Sequence, residues 1–256
     1  MLVQSVNEMY SLMKEILKQH KETFDEDNPR DFVDVYLKEM KTNPDVSYTE
    51  EELMVNAFDL FGAGSETTST TLAWAVCYMI LNPDIQTRVQ AEIDTELGGR
   101  PPCLDDRRRL SLTEATIMEI QRLGSIAPMA VPHRALSDIK VRGYKIPKNT
   151  LIWSILYHIM RDPDYWTEPE TFNPDRFLDQ SGRVIKEERF VPFGIGKRIC
   201  IGESMAKAEL FIIFTRLLQM FTFQSCEKEG HEAPSQEPLY AFINSPKPFY
   251  AKAIPR

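Results

Sequence analysis

The stretch that decides the fold lies near the C-terminus and reads Phe193-Gly194-Ile195-Gly196-Lys197-Arg198-Ile199-Cys200-Ile201-Gly202. An apolar helical pattern follows it directly. A thiol at the start of a helix lies near free backbone N–H groups and the positive end of the helix dipole. Both favour the thiolate, which is the form of cysteine that binds metal. The stretch is therefore a candidate for a sulfur-ligated metal.

Two glycines and an arginine in this stretch suit a large, flat ligand that carries acid groups. Gly194 and Gly196 can take backbone conformations that are barred to other residues, and they leave an open approach. Arg198 adds a cation suited to a carboxylate. We interpret the loop as a haem-binding site, with Cys200 as the ligand to iron.

Two other interpretations compete with this one. A lone cysteine is most often a small buried apolar residue. A phosphate-binding loop is conceivable from Gly194, Gly196 and Lys197, but Arg198 stands where such a loop needs Ser or Thr. Nucleotide binding is therefore disfavoured.

Composition narrows the class of protein further. The net charge is −8 and no basic stripe is present, which argues against nucleic acid as a partner. The four cysteines are widely spaced and form no paired framework, as expected in a reducing compartment. The longest apolar run, about Leu72 to Leu81, is well short of the ~20 residues of a membrane-spanning helix.

The periodicity of apolar residues predicts a mainly α fold with small β-sheets, in a single domain over residues 1–256. Ser111 with Glu114 predicts a capping box. A hairpin turning at Gly143 is expected within Val131–Pro147, and an irregular meander over Asp162–Arg189. Helices are predicted over about 2–20, 31–40, 49–81, 82–97, 111–123, 151–160 and 201–220.

The long helical pattern over 49–81 contains an unusual run, Phe61-Gly62-Ala63-Gly64-Ser65-Glu66-Thr67-Thr68-Ser69-Thr70-Thr71. Glycine costs about 1 kcal/mol relative to alanine inside a helix, and Ser or Thr side chains compete for backbone carbonyls. A locally weak helix or close helix packing would explain the run. A break and bend here would also open a groove into which Glu66 and Thr67 could pass a proton.

The cysteine stretch resembles the haem-binding signature of the cytochrome P-450 family, Phe-x-x-Gly-x-Arg-x-Cys-x-Gly. Phe193, Gly196, Arg198, Cys200 and Gly202 match it in register. The resemblance implies haem b with the Cys200 thiolate as axial ligand. It also implies that the signature residues, with the neighbouring Gly194 and Ala63 from the long helix, contact the cofactor.

The oxygen-binding motif of the same family, Ala-Gly-x-(Asp/Glu)-Thr-Thr, is matched by Ala63, Gly64, Glu66, Thr67 and Thr68. The resemblance implies that Thr67 is the hydroxyl beside the bound oxygen and that Glu66 is the acid of a proton relay. This pair argues against a third possibility, a haem-thiolate isomerase or dehydratase, which needs no such relay.

The family also has a Glu-x-x-Arg pair joined by an arginine from a proline-containing segment. Glu119, Arg122 and Arg176 match these positions, and the resemblance implies a buried structural cluster of one carboxylate and two guanidinium groups. His133 resembles the family position that meets one haem propionate, and Arg198 would meet the other. The alternative for His133 is a strand-edge residue that faces solvent.

The resemblance implies a monooxygenase that inserts one oxygen atom of O2 into a small apolar substrate, either a lipid, a hormone-like molecule or a xenobiotic. Electrons would come from an NADPH-dependent reductase, with cytochrome b5 as a further donor. The segment Pro29–Asp34 is similar to the microsomal animal branch, which implies the cytosolic face of the endoplasmic reticulum membrane. Candidates for the substrate wall are Phe58, Leu60, Ala63, Ala127, Met129, Val131, Phe242 and Ile243.

Family members are considerably longer than this chain, which resembles their C-terminal half. We therefore expect an N-terminal membrane anchor and several helices to be absent. The competing hypothesis is a truncated, non-catalytic fragment that binds haem loosely or not at all.

Overall fold

The computed structural model of the protein describes residues 2–43 and 48–256. The chain divides into two compact units, the first ending at Glu66 and the second beginning at Thr67. The single domain expected over residues 1–256 stays a prediction. No helix in the described ranges is both long and apolar enough to cross a bilayer.

Helices dominate both units, as predicted. Thr49 and Glu52 form a reciprocal capping box at the start of the long helix, with both N···O distances at 3.1 Å. Asp31 caps the second helix, because its Oδ1 accepts hydrogen bonds from the Val33 and Asp34 amides. The helices are α1 (Leu2–Glu22), α2 (Phe32–Thr42), α3 (Glu50–Leu81), α4 (Pro83–Leu97), α5 (Ser111–Gly124), α6 (Leu156–Ile159) and α7 (Glu203–Met220).

The strands are β1 (His133–Arg134), β2 (Ile139–Val141), β3 (Tyr144–Ile146), β4 (Leu151–Ile152), β5 (Phe221–Ser225), β6 (Pro238–Leu239), β7 (Ser245–Pro246) and β8 (Ala251–Pro255). They are short and pair two by two, always antiparallel: β1 with β4, β2 with β3, β5 with β8 and β6 with β7. The predicted hairpin is the β2–β3 pair, and its turn contains Arg142 and Gly143 at φ 47° and 87°.

The helix predicted over 151–160 is wrong in its first half. Leu151 and Ile152 form β4, in which Ile152 pairs with His133 of β1, and only Leu156–Ile159 is helical. A short apolar run fits a buried strand and a buried helix equally well, so periodicity could not separate the two.

The capping box predicted for α5 is also wrong. Glu114 pairs instead with Arg107, and the helix is capped from α4. The Glu92 carboxylate accepts hydrogen bonds from the Leu112 and Thr113 amides, both at 2.8 Å. A carboxylate from a neighbouring helix therefore satisfies the free N–H groups and meets the positive end of the helix dipole.

The first unit has a small apolar cluster of its own, formed by Leu17, Tyr36, Leu37 and Leu53. Beside it, His20 connects α1 to the start of α2. Its Nδ1 lies 2.9 Å from the Ile16 carbonyl oxygen and its Nε2 lies 2.7 Å from Asp31 Oδ2. Because both partners are hydrogen-bond acceptors, the protonated ring, which donates from both nitrogens, is the form of His20 that satisfies both contacts.

The core of the second unit lies between the C-terminal half of α3, α4, α5 and α7. Two glutamines of α4 are buried in this core, and their side chains form hydrogen bonds with the backbone of β5. Gln86 accepts from the Phe223 amide at 2.7 Å, and Gln90 donates to the Phe221 carbonyl at 3.0 Å. The largest fully buried side chains in this core include Trp74, Tyr78, Ile93, Ile120, Phe211 and Leu218.

One buried carboxylate joins α5 to the meander. Glu119 accepts two hydrogen bonds from Arg122, at 2.7 and 2.9 Å, and one from Arg176 Nε at 3.1 Å. The Asn173 amide also donates to it, at 2.9 Å. The Glu119 and Arg122 side chains are 0% exposed, and that of Arg176 is 10% exposed. The structure thus brings together the three residues of the predicted cluster.

The donors of Arg122 that do not reach Glu119 bond to the meander backbone. Nη1 donates to the carbonyls of Met160 and Pro169, at 2.9 and 2.8 Å. The guanidinium carbon also lies 5.1 Å from the centre of the Trp166 ring. A buried ion pair is tolerated only when its remaining donors are satisfied in this way.

Replacing Arg122 with Leu should lower the free energy of unfolding by about 3–5 kcal/mol, because it leaves the Glu119 carboxylate buried with its main partner removed. Urea unfolding measures the change. Arg183→Leu is the control, since the Arg183 side chain is 79% exposed and pairs at the surface with Asp179. That variant should stay within about 0.5 kcal/mol of the parent. Equal losses in the two variants would contradict the buried cluster.

The His20–Asp31 contact should make stability fall as pH rises. The hydrogen bond to Asp31 raises the pKa of His20 above its usual value. The contact therefore stabilises the folded protein fully below a pH of about 6.5, which is the pKa of histidine in the unfolded chain. This stabilisation is lost as the pH rises through the raised pKa of His20 in the folded protein. We expect a loss of up to about 1 kcal/mol for this partly exposed pair.

Urea unfolding at pH values of about 5.5 and 8.5 tests this expectation. His20→Gln should remove the pH-dependent part of the unfolding free energy. Lys21→Gln, which breaks the neighbouring exposed pair with Glu50, should keep it. An unchanged pH dependence in His20→Gln would refute the assignment.

Candidate functional site

The loop before α7 presents Cys200 at the surface. Cys200 is a free and exposed thiol, and its amide donates to the Phe193 carbonyl at 3.0 Å, which closes the loop into a tight turn. Gly202 caps α7 and has no side chain; a Cβ there would lie 3.9 Å from the Cys200 sulfur. The sulfur therefore lies directly before the helix start, as the sequence predicts.

Two glycines give the loop its shape. Gly194 and Gly196 have φ angles of 77° and 75°, in the left-handed region that other residues avoid. A Cβ added at either position would meet nothing within 4 Å, so the face beside the cysteine is open. Phe193 is half-buried and supports the loop, and the Lys207 ammonium lies 5.6 Å from the centre of its ring.

Exposed apolar side chains lie close to Cys200 in the sequence. Ile195 is 73% exposed, Ile199 41%, Ile201 90% and Met205 67%. Several large apolar side chains exposed in one short segment favour a place where another apolar body binds. Together with the thiol and the open glycine face, they fit a wide, flat, apolar group that is bound through sulfur.

Arg198 and His133 are two further polar side chains to consider. Arg198 ends a short 3-10 turn, Gly196–Arg198, and His133 lies on β1. Both are exposed, and within residues 2–43 and 48–256 neither side chain makes a hydrogen bond or an ion pair. They are therefore available to meet the acid groups of a ligand. The exposure of His133 is also what the strand-edge alternative expects.

Helix α3 runs without interruption through the glycine- and hydroxyl-rich stretch, so the break expected there is not found. A bend of its axis stays a prediction. The Thr71 hydroxyl donates to the Thr67 carbonyl at 2.8 Å, which is the backbone contact that can bend a helix. Ala63 and Glu66 are exposed, while Thr67 is half-buried.

The candidate wall residues of the second unit lie mostly at its surface. Met129 is 38% exposed, Val131 67% and Phe242 71%, while Ala127 and Ile243 are half-buried. In the first unit, Leu60 is 44% exposed and Phe58 is half-buried. Phe58 stacks on Tyr10 with ring centres 5.6 Å apart, a contact that the sequence analysis did not anticipate.

Sequence reasoning also missed a buried asparagine beside two of these segments. The Asn244 amide donates to the Ile126 carbonyl at 2.8 Å, and its own carbonyl accepts from Trp74 Nε1 at 3.1 Å. The signal available was an asparagine directly after the apolar pair Phe242-Ile243. A single polar residue in a loop is too common to be distinctive.

Comparisons with known proteins agree with this geometry. Residues 1–253 match the family model described as cytochrome P-450. Human cytochrome P-450 2U1 is 44% identical over 253 residues, which cover 97% of this chain and 46% of that protein. Human cytochrome P-450 2D6 is 43% identical over 249 residues, which cover 95% of this chain and 50% of that protein.

A solved structure of a zebrafish cytochrome P-450 with progesterone gives a TM-score of 0.90 at 34% sequence identity. The match covers 98% of this chain and 58% of that one. The chain spans about half the length of the curated relatives that it matches. Because the family model matches nearly every residue, this chain belongs to the cytochrome P-450 family.

Proposed function

We propose that this protein is a haem-thiolate monooxygenase that inserts one oxygen atom of O2 into an apolar organic substrate. The observation that carries the proposal is Cys200, an exposed thiol on a left-handed glycine turn at the start of α7, among exposed apolar side chains. The family as a whole implies haem with thiolate ligation.

The residues around Cys200 fit the cofactor. Cys200 would hold the iron as a thiolate, while Gly194, Gly196 and Gly202 leave room for the macrocycle and Phe193 supports the loop. Ala63, on α3, would contact the haem. When bound, the haem supplies the activation of O2 and the redox chemistry, for which no side chain of the protein is suited.

Arg198 and His133 would meet the two haem propionates. Both side chains are exposed and make no hydrogen bond or ion pair in the described part of the chain. A guanidinium binds a carboxylate with two parallel hydrogen bonds, and an imidazole N–H donates one. Their contribution is to hold the cofactor in one orientation.

Glu66 and Thr67 would transfer protons to the site. The exposed Glu66 carboxylate can exchange protons with solvent, and the half-buried Thr67 hydroxyl can donate one onward through its Oγ1. General acid catalysis requires such a donor within hydrogen-bond reach of the reacting oxygen. The exposure of Glu66 and the partial burial of Thr67 support a relay from solvent inward.

The substrate class follows from the apolar candidate wall residues, among them Leu60, Val131 and Phe242. Lipids, hormone-like molecules and xenobiotics of small size share that chemistry. The zebrafish relative was solved with progesterone, a rigid apolar molecule of this kind. This supports an apolar substrate without selecting one.

Electrons would arrive from an NADPH-dependent reductase, or from cytochrome b5. Lys186 and Lys197 are exposed cations without a salt bridge in the described part of the chain, and they suit an acidic partner. Arg189 and Lys207, equally basic, already pair with Asp162 and with Glu203. We also propose the cytosolic face of the endoplasmic reticulum membrane as its location, because the segment Pro29–Asp34 is similar to the microsomal animal branch.

The alternative is a chain that binds haem loosely or not at all. Haem uptake by the purified chain separates the two hypotheses.

Cys200→Ser should abolish the thiolate-type absorption band of the reduced, carbon-monoxide-bound protein, because a serine hydroxyl does not replace a thiolate ligand. Cys103→Ser is the matched control, since Cys103 is the other exposed free cysteine. It should leave the spectrum unchanged. A normal spectrum in Cys200→Ser would refute the ligand assignment, and no haem uptake by the parent chain would favour the non-catalytic alternative.

Thr67→Ala should uncouple electron use from product formation. Without the hydroxyl donor, product formed per NADPH should fall at least about tenfold while NADPH is still consumed, since general acid catalysis is worth about 100-fold or more. Thr87→Ala is the control, because Thr87 is exposed on α4 and its hydroxyl bonds to the Pro83 carbonyl. An unchanged yield in Thr67→Ala would show that the hydroxyl has no part in the relay.

A further inference from the structure

Two of the candidate wall segments meet at one buried side chain. We infer that Asn244 is a positioning residue that sets the place of Phe242 and Ile243 relative to the segment Ala127–Val131, and so influences which apolar ligands bind. The inference rests on the proposed function, because it assigns a specificity role within that binding site.

Asn244 is 1% exposed and makes three hydrogen bonds to the rest of the second unit. Its backbone amide donates to the Ile126 carbonyl at 2.8 Å, and its side-chain Nδ2 donates to the Ser125 carbonyl at 3.2 Å. Its carbonyl accepts from the Trp74 indole at 3.1 Å. Trp74, Ser125, Ile126 and Asn244 together are called the Asn244 clamp below.

The clamp is attached to a rigid base. Trp74 is 1% exposed on α3, and it stacks on Tyr78 with ring centres 5.5 Å apart. The end of α5 packs on the same ring, since a Cβ added to Gly124 would lie 3.1 Å from Trp74 Cδ1. Ser125 then leaves the helix in the left-handed conformation, at φ 40°. Two helices of the core therefore fix the position that Asn244 binds.

The hairpin that carries Phe242 is short. Its strands, β6 and β7, are two residues long each, and a ladder of this length has marginal stability by itself. The tip residue Phe242 is 71% exposed. The three bonds of Asn244 therefore anchor one side of this end of the hairpin, beside a contact between Tyr240 and Tyr157.

The clamp includes two unsatisfied atoms, which argues for a positioning role. Asn244 Oδ1 and Ser125 Oγ are buried and have no hydrogen-bond partner among the residues that the structure describes. An unpaired buried oxygen lowers stability. An apolar side chain at position 244 would avoid that cost but would lose the Nδ2 bond to Ser125, and with it one connection between the two segments.

The test compares the relative affinity of the haem-loaded protein for two apolar probes, progesterone, which is rigid, and dodecanoate, which is flexible. Dissociation constants are read from the shift of the haem absorption band. In Asn244→Leu, the ratio of the two constants should change at least about fivefold, the equivalent of one lost hydrogen bond. Trp74→Phe, which removes the indole donor and keeps the ring, should change the ratio in the same direction.

Asn82→Leu is the matched control. The Asn82 side chain also donates to a backbone carbonyl, that of Tyr78 at 2.8 Å, but it lies between α3 and α4 and touches neither segment. Its ratio should stay at the parent value. If Asn244→Leu and Trp74→Phe weaken both probes by the same factor, the clamp contributes only stability and the inference fails.

A second measurement needs neither haem nor turnover. Amide hydrogen exchange of the apo protein should be at least about fivefold faster over residues 240–246 in Asn244→Leu, because the clamp bond is lost. Exchange in β5 should not change. Unchanged exchange over 240–246 would overturn the inference, whereas a failure of the parent chain to bind haem would overturn only the proposed function.

Discussion

The rest of the structure depends on one buried negative charge. The Glu119 carboxylate is 0% exposed, so it can exist only where hydrogen-bond donors surround it. Arg122 supplies them from the same helix, and Arg176 and the Asn173 amide supply them from the meander. Because these donors must stay within hydrogen-bond distance of Glu119, the cluster fixes the path of the meander, which has little regular secondary structure of its own.

Helix positions were predicted well where the signals are local. The capping pair Thr49 and Glu52, and Asp31 before α2, satisfy their own helix starts, so neighbouring residues suffice to predict them. One local pattern, Ser111 with Glu114, nevertheless failed, because the cap of α5 comes from Glu92, about 20 positions earlier in the sequence. The cluster of Glu119, Arg122 and Arg176 joins distant residues and was predicted from the resemblance to the family.

The site shows the same division between local and distant information. The spacing of glycine, arginine and cysteine around Cys200 was sufficient to predict a thiol at a helix start, because all of these residues lie in one short segment of the chain. Neither periodicity nor motif indicated Asn244, since its partners Trp74 and Ser125 are far from it in sequence. Contacts of this kind follow from how helices and hairpins pack, which is decided by the whole core.

The absence of a side chain at Gly124 has a consequence for sequence change at the end of α5. A methyl group there would press on the indole at 3.1 Å, so the ring would have to shift by a few tenths of an ångström. That shift would move the N–H group of Trp74 relative to the Asn244 carbonyl, from which it lies 3.1 Å away. A small substitution at the end of α5 would thus affect the position of a hairpin near the C-terminus of the chain.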